Sequence, residues 1–195
     1  MKRILSAKKI IVLLFTGFLV LFAALMVVGY FIPSDTTVPA QVKTKTPFNG
    51  KRAFADLEHI VGLGPRPCGS DALQETRVLI RQELAKAGLE VREQAFDALT
   101  PIGTVSMVNM IGVIEGNEPG IIILGNHYDT KYFPEFTFVG ANDAGSTTAW
   151  MLEMARAIGP RREGCTVWLC FFDGEEAFED WTETDSLYGS RHLVE

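Results

Sequence analysis

A run of apolar residues that ends in paired acids places the strongest constraint on the fold of this chain. Residues 165–172 are apolar enough to form a buried strand, and Asp173-Gly174-Glu175-Glu176 follows them directly. A second apolar run, residues 121–124, leads into His127 and Asp129, and residues 146–158 between the two runs have the pattern of a helix. These segments predict a β-α-β unit with a right-handed crossover. The predicted fold class is therefore α/β.

Caps and periodicity predict further elements around this unit. One helix should cover residues 50–61, and a second should run from Ser70 as N-cap to Gly88 as C-cap. The inner face of the second helix should carry Leu73, Ile80, Leu84 and Ala87. Strands are predicted near residues 89–96 and 105–115, and residues 187–195 have the pattern of a helix start.

Both buried strands are followed by side chains that can bind a metal ion. His127 and Asp129 follow the first, Glu175 and Glu176 follow the second, and Asp143 lies in the segment between them. Ligands of open α/β sheets bind at the carboxyl ends of the strands, and zinc takes nitrogen and oxygen donors from His, Asp and Glu. Of two adjacent carboxylates, one can hold a cation while the other moves protons. The combination favours a metal-dependent enzyme.

Each of these residues alone also fits a structural role. Glu175 and Glu176 fit a solvated turn, Asp143 fits the N-cap of the following helix, and His127 fits a core histidine bonded to a carbonyl. Single short matches are often false positives. Their joint occurrence beside strand ends is what favours the metal site.

A longer motif carries a family resemblance. The chain from His127 to Leu193 resembles the zinc-dependent glutaminyl cyclases, which are relatives of the M28 zinc aminopeptidases. The specific residues are Trp181 and the segments Asp173-Gly174-Glu175-Glu176-Ala177-Phe178 and Asp185-Ser186-Leu187-Tyr188-Gly189-Ser190-Arg191-His192-Leu193. Resemblance to the wider superfamily begins at Gly64-Pro65-Arg66-Pro67-Cys68-Gly69-Ser70 and covers about two thirds of the chain. One departure is that residues 141–146 are closer to the peptidase form of this loop.

The resemblance implies a role for each residue of the motif. Asp143 and Glu176 would bind zinc, Glu175 would be the general acid/base, and Trp181 would form an aromatic wall of the substrate pocket. His127 would be a metal ligand in a two-zinc aminopeptidase but not in a single-zinc cyclase, and Asp129 would support that neighbourhood. The implied fold is the zinc aminopeptidase (phosphorylase-like) one, with a mixed central β-sheet flanked by helices.

The same resemblance implies the chemistry and leaves three hypotheses open. In a cyclase, the α-amine of an N-terminal glutamine on a peptide or protein attacks its own side-chain amide, which yields pyroglutamate and ammonia. In an M28 aminopeptidase, metal-bound water and the same Glu175 would hydrolyse the first peptide bond. A non-catalytic remnant or binding domain is the third hypothesis. Aromatic residues that would form an apolar rim in either enzyme, or belong to the core, are Tyr132, Phe133, Phe136 and Trp181.

Two expectations concern the ligand set and the histidines. The family supplies its remaining histidine ligand from a segment beyond Arg191-His192, so we expect residues 48–195 to form an incomplete, N-terminal part of the catalytic domain. His192 is expected to be structural, and His59 is expected on the exposed side of an amphipathic helix.

The N-terminal region predicts a membrane anchor. Residues 1–9 form a basic tail with Lys2, Arg3, Lys8 and Lys9, and residues 10–32 contain no charge. Such a stretch is long enough to cross about 30 Å of hydrocarbon. The positive-inside rule places the tail in the cytosol and the domain outside, in a periplasmic, extracellular or lumenal space. A cleaved signal peptide is the alternative, but its apolar region is usually only about 7–15 residues long.

Composition completes the expectations. Residues 33–47 are rich in Thr, Pro and Lys without apolar periodicity, which is typical of an extended linker. The formal net charge of −6 becomes −10 without the four basic residues of the tail, which argues against a nucleic-acid partner. The three cysteines, Cys68, Cys165 and Cys170, are expected to be free thiols with no required disulfide.

Overall fold

The computed structural model of the protein describes residues 46–195. The predicted anchor, residues 10–32, lies outside the described residues, and so does most of the predicted linker. Within residues 46–195, none of the helices has the length and apolarity that crossing a membrane requires. The described part is an α/β fold.

Within residues 46–195, four helices and three strands follow one another. The helices are α1 (Gly50–Gly62), α2 (Asp71–Lys86), α3 (Thr147–Ile158) and α4 (Tyr188–Leu193). The strands are β1 (Glu90–Thr100), β2 (Gly103–His127) and β3 (Arg161–Phe172). A kinked helical turn, Ala141–Ser146, precedes α3.

The predicted helices are present because their start and stop signals act locally. The Asn49 side chain accepts a hydrogen bond from the Arg52 N–H at the start of α1, and Ser70 caps α2 by accepting from the Leu73 N–H. Helix α2 ends at Lys86, and its C-cap is Ala87 rather than the predicted Gly88. Gly88 follows with φ of 84°, a left-handed conformation that favours glycine.

The sheet is mixed, with the order β1-β2-β3. β1 and β2 form an antiparallel hairpin, in which Glu90 faces Val113 and Thr100 faces Gly103. The second segment of β2, Ile121 to His127, runs parallel to Thr166–Phe172 of β3. The first segment of β2, Met110 to Ile114, also pairs with β3, but here the two strands run in opposite directions. Met110 faces Phe171, and Ile114 faces Val167. That pairing is antiparallel.

β3 consequently lies between two segments of β2. Val167 pairs with both Ile114 and Ile122, which shows that the two edges of β3 are used by different segments. The sequence predicts two separate strands here, and the structure joins them into one element with irregular pairing around residues 115–121. Gly120 adopts a φ of 106° in this connection, a value that allows the chain to reverse.

The main core lies between the sheet and helices α2 and α3. The inner-face residues Leu73, Ile80 and Leu84 are fully buried, as predicted, and Ala87 packs against them. They meet a set of buried side chains from the sheet and α3, namely Met110, Ile114, Met151, Leu152, Leu169 and Phe171. The opposite face of the sheet carries a smaller cluster of Ile111, Val113 and Cys170, against which Leu193 of α4 packs. Helices therefore contact both faces.

The three cysteines are all free thiols in the structure. Cys170 is buried in the sheet, and its burial raises the pKa of the thiol to about 11. Cys165 donates to the Pro119 carbonyl at 3.1 Å, and Cys68 donates to Asp173 at 3.2 Å.

Candidate active site

The parallel pairing of β2 and β3 brings the predicted site together. His127, the last residue of β2, lies opposite Phe172, the last residue of β3. The chain segments that begin at Tyr128 and Asp173 therefore leave the sheet side by side. Helix α3 connects these strands, and Asp143 lies in the turn that leads into it.

The buried carboxylate of Asp129 positions the two adjacent acids, Glu175 and Glu176, through their backbone. Asp129 has no solvent exposure, and its two oxygens accept hydrogen bonds from the backbone N–H groups of Glu175 and Glu176, each at 3.2 Å. The same carboxylate lies 3.3 Å from Nδ1 of His127. Asp129 thus fixes the backbone of the acidic turn and the orientation of the imidazole at once.

His127 connects this turn to Asp143. Its Nε2 lies 2.9 Å from Oδ1 of Asp143 and 3.8 Å from a carboxylate oxygen of Glu175. The side chain of Asp143 is 62% exposed, whereas that of His127 is 12% exposed. The N-cap of α3 is Ser146, so Asp143 does not take the capping role that is its structural alternative. The Asp143 carboxylate instead faces the cluster.

The cluster has more negative than positive charge. Burial raises the pKa of Glu175, and Asp129 and Asp143 raise it further against the opposing effect of His127. Burial likewise raises the pKa of Glu176, with added repulsion from Asp129 and Glu175. Burial lowers the pKa of His127, but the hydrogen bond to Asp129 and the surrounding carboxylates outweigh it and raise this pKa to about 9.

The donor chemistry of the cluster fits a cation. Four carboxylates and one imidazole are the oxygen and nitrogen donors that zinc takes in proteins. In the part of the chain that the structure describes, no three His, Cys, Asp or Glu side chains converge closely enough to hold a metal ion. A zinc site needs three protein ligands, so the described residues do not by themselves form a complete one.

The chain is similar to known proteins in both sequence and fold. The sequence profile of Peptidase family M28 matches residues 109–195. The bovine (Bos taurus) glutaminyl-peptide cyclotransferase is 38% identical over 143 residues, which cover 67% of this chain and 39% of that protein. The crystal structure of a glutaminyl cyclase from an Acidobacteriales bacterium is 39% identical, with a TM-score of 0.70 over 80% of this chain and 55% of that one. The chain belongs to the glutaminyl cyclase branch of the M28 superfamily.

The match covers only part of the relatives. This glutaminyl cyclase family chain spans 39% of the bovine protein and 38% of the glutaminyl-peptide cyclotransferase of Drosophila melanogaster, to which it is 35% identical.

The cyclase-motif residues after Glu176 form an ordered loop. The Asp185 carboxylate accepts from the N–H groups of Phe178 and Glu179, each at 2.8 Å, and Tyr188 donates to it at 2.9 Å. Lys131 donates to the carbonyl oxygens of Ala177 and Glu179. Trp181 lies in this loop with 58% exposure, accessible to a ligand.

Aromatic residues from the 131–139 segment lie in a second loop. Phe133 stacks on Phe136 with ring centroids 4.7 Å apart and meets Phe138 edge-on at 5.4 Å. Tyr132 and Phe136 are more than half exposed. The rim residues predicted from sequence are therefore accessible, while Phe133 anchors the loop.

Sequence reasoning missed a buried network behind the acidic turn. Asp173, fully buried, accepts hydrogen bonds from Arg77 at 3.0 Å, Tyr128 at 3.1 Å, the Val108 N–H at 2.9 Å and Cys68 at 3.2 Å. These groups come from α2, the first segment of β2, the residue directly after β2 and the Gly64–Ser70 motif. The position of Asp173 within the motif is the one sequence signal that pointed to it.

The burial of Arg66 was also not predicted from the sequence, although Arg66 lies in the Gly64–Ser70 motif. It is fully buried, and its side chain donates to the carbonyl oxygens of Ile60, Gly64 and Val139. Its backbone pairs with Thr130, beside Asp129. Arg66 therefore ties the segment before Asp143 to the segment that carries Asp129.

The remaining histidines take the structural roles predicted for them. His192 stacks on Phe96 with ring centroids 4.2 Å apart, and its Nδ1 lies 3.4 Å from Glu195. His59 is exposed on α1.

Proposed function

We propose that this protein is a membrane-anchored, zinc-dependent glutaminyl-peptide cyclotransferase. The substrate class is a peptide or protein with an N-terminal glutamine, and the products are pyroglutamyl peptide and ammonia. The observation that carries the proposal is the shared anchor of Glu175 and Glu176 on Asp129, next to the contact between His127 and Asp143. The glutaminyl cyclase relatives support the reaction class.

The proposed metal ligands are Asp143 and Glu176, with one zinc ion. Their carboxylates belong to the half-buried acidic cluster, whose excess negative charge a cation offsets. When bound, zinc polarises the side-chain amide carbonyl of the substrate as a Lewis acid. Asp129 and His127 hold the segments that carry Glu176 and Asp143 at fixed positions relative to each other.

Glu175 is the proposed general acid/base. In the reaction, the α-amine nitrogen forms a bond to the side-chain amide carbon, and the bond from that carbon to the amide nitrogen breaks. Glu175 accepts the proton that the amine loses and delivers it to the departing nitrogen, which leaves as ammonia. The Glu175 carboxylate is 25% exposed, so a substrate can reach it. Trp181 is proposed as an aromatic wall for the substrate.

An assay of two peptides tests the reaction. The protein, expressed at full length and loaded with zinc, should convert a glutaminyl peptide amide to its pyroglutamyl form, with one ammonia released per peptide. The matched control is the same peptide with an acetylated α-amine, which lacks the nucleophile and should remain unchanged. Mass spectrometry of the peptide and a coupled ammonia assay report the result.

Other outcomes would separate the alternatives. Release of a free amino acid from aminoacyl amides, without any pyroglutamate, would contradict the cyclase assignment and identify an aminopeptidase. Absence of both reactions from a zinc-loaded protein would identify a non-catalytic domain. The comparisons favour the cyclotransferase, since the bovine and Drosophila melanogaster relatives bear that name.

The membrane anchor has its own test. Because residues 10–32 carry no charge, we expect the whole chain to sediment with membranes and a chain that begins at Pro47 to remain in the supernatant. In sealed vesicles of known orientation, protease on the cytosolic side should leave the domain intact. Digestion of the domain from that side would reverse the proposed topology.

A further inference from the structure

An apolar cavity of about 280 Å³ lies beside the acidic cluster. It borders Glu176 and Asp129, whereas Glu175, Asp143 and His127 do not line it. The cavity is therefore next to the proposed reaction site, on its Glu176 side. Its apolar lining consists of Pro67, Ile102, Tyr132, Ala177 and Phe178.

The Glu176 carboxylate in the cavity wall is a proposed zinc ligand, and three other polar side chains of the wall have partners within the protein. The Thr130 hydroxyl accepts from the Arg66 N–H at 2.9 Å, and the Cys68 thiol donates to Asp173 at 3.2 Å. Both oxygens of Asp129 accept from the acidic turn. A primary amide placed here would lose its hydrogen bonds to water with little replacement. The cavity consequently suits an apolar group better than it suits the side chain of glutamine.

The size of the cavity limits what it can hold. Pockets for drug-sized ligands have volumes of about 300–1,000 Å³, so 280 Å³ corresponds to a single side chain rather than a long peptide. A substrate whose first residue reacts between Glu175 and the metal ligands places its second residue next to that centre. We infer that this cavity is a subsite for an apolar side chain at the second residue of the substrate. The inference rests on the proposed function.

Ile102 offers the cleanest way to change this subsite. It lies in the turn between β1, which ends at Thr100, and β2, which begins at Gly103, and it is 67% exposed. Ile102→Asn therefore removes apolar lining without opening the core. Leu99 is a matched control, because it lies in the same hairpin, is 81% exposed and does not line the cavity.

Binding of the two reaction products tests the inference, since neither product is consumed. Isothermal calorimetry on the full-length, zinc-loaded protein compares pyroglutamyl-leucine amide with pyroglutamyl-glycine amide. We expect the leucine compound to bind about tenfold more tightly or better, as a buried aliphatic group discriminates by at least this factor. Ile102→Asn should reduce the leucine preference severalfold, and Leu99→Asn should preserve it.

The outcomes separate this inference from the proposed function. Equal affinity for the two compounds, no measurable binding of either, or equal effects of the two variants would overturn the subsite. Ammonia release from glutaminyl-leucine amide and glutaminyl-glycine amide is measured in parallel and reports the reaction alone. Ammonia release without leucine preference in binding would overturn the subsite and leave the cyclase. Leucine preference in binding without ammonia release would keep the apolar subsite and overturn the cyclase reaction.

Discussion

Glu175→Gln is expected to retain zinc and to lose turnover by about 10²–10⁴-fold, the usual cost of removing a general acid/base. Glu176→Gln is expected to lose both turnover and zinc, because a neutral amide oxygen is a weaker zinc donor than a carboxylate. Both substitutions preserve the size of the side chain and leave the backbone N–H groups free to donate to Asp129. Zinc content after dialysis and ammonia release from a glutaminyl peptide are the two measurements.

Glu179 provides the matched control for this pair. It lies in the same loop, three residues after Glu176, and is exposed. Glu179→Gln should change neither zinc content nor turnover. Equal loss of zinc from the Glu175 and Glu176 variants, or near-normal turnover in Glu175→Gln, would contradict the division of roles between the two acids.

Arg77→Met should cause the largest loss of stability among the substitutions considered. Arg77 donates to Asp173 at 3.0 Å, and the Asp173 side chain is 1% exposed while that of Arg77 is 19% exposed. Removing one partner leaves a buried carboxylate without its countercharge, which costs about 3 kcal/mol. Urea unfolding of the chain that begins at Pro47 measures the free energy of unfolding.

Arg81 lies one turn further along α2 and supplies the comparison. Its ion pair with Glu93 is about 40% exposed on both sides, so Arg81→Met should cost less than about 1 kcal/mol. If the two variants lost similar stability, the Asp173 network would have no special importance. A small loss in both would mean that Asp173 does not depend on Arg77 for its burial.

Local signals explain how much of the fold the sequence predicts. Ser70 and Gly88 mark the ends of α2 without help from the rest of the chain. The structure has Ser70 as the N-cap and places the C-cap at Ala87, one residue before Gly88. The β-α-β unit follows in the same way from two apolar runs and the helix between them. Its parallel pairing then places the residues after His127 next to those after Phe172. The clustering of the site residues was therefore predictable from strand order alone.

The parts that sequence reasoning missed depend on contacts between distant segments. Periodicity defines a strand but not its neighbours, so it did not predict that Met110 and Ile114 pair with β3 in the antiparallel sense. Arg77 reaches Asp173 from 96 positions away, and Tyr128 reaches it from 45. An arginine on an amphipathic helix has no local feature that reveals such a partner. The same holds for the burial of Arg66.

The shared anchor on Asp129 restricts how this site can evolve. A substitution that shifts this one carboxylate displaces the acid proposed to move protons and the acid proposed to hold zinc together, because both are attached to it through adjacent N–H groups. Changes at position 129 therefore cannot alter proton transfer without also altering zinc binding. Adaptation of metal affinity or of proton transfer separately must come from the outer residues of the site, such as the exposed Asp143 and the loop that carries Trp181.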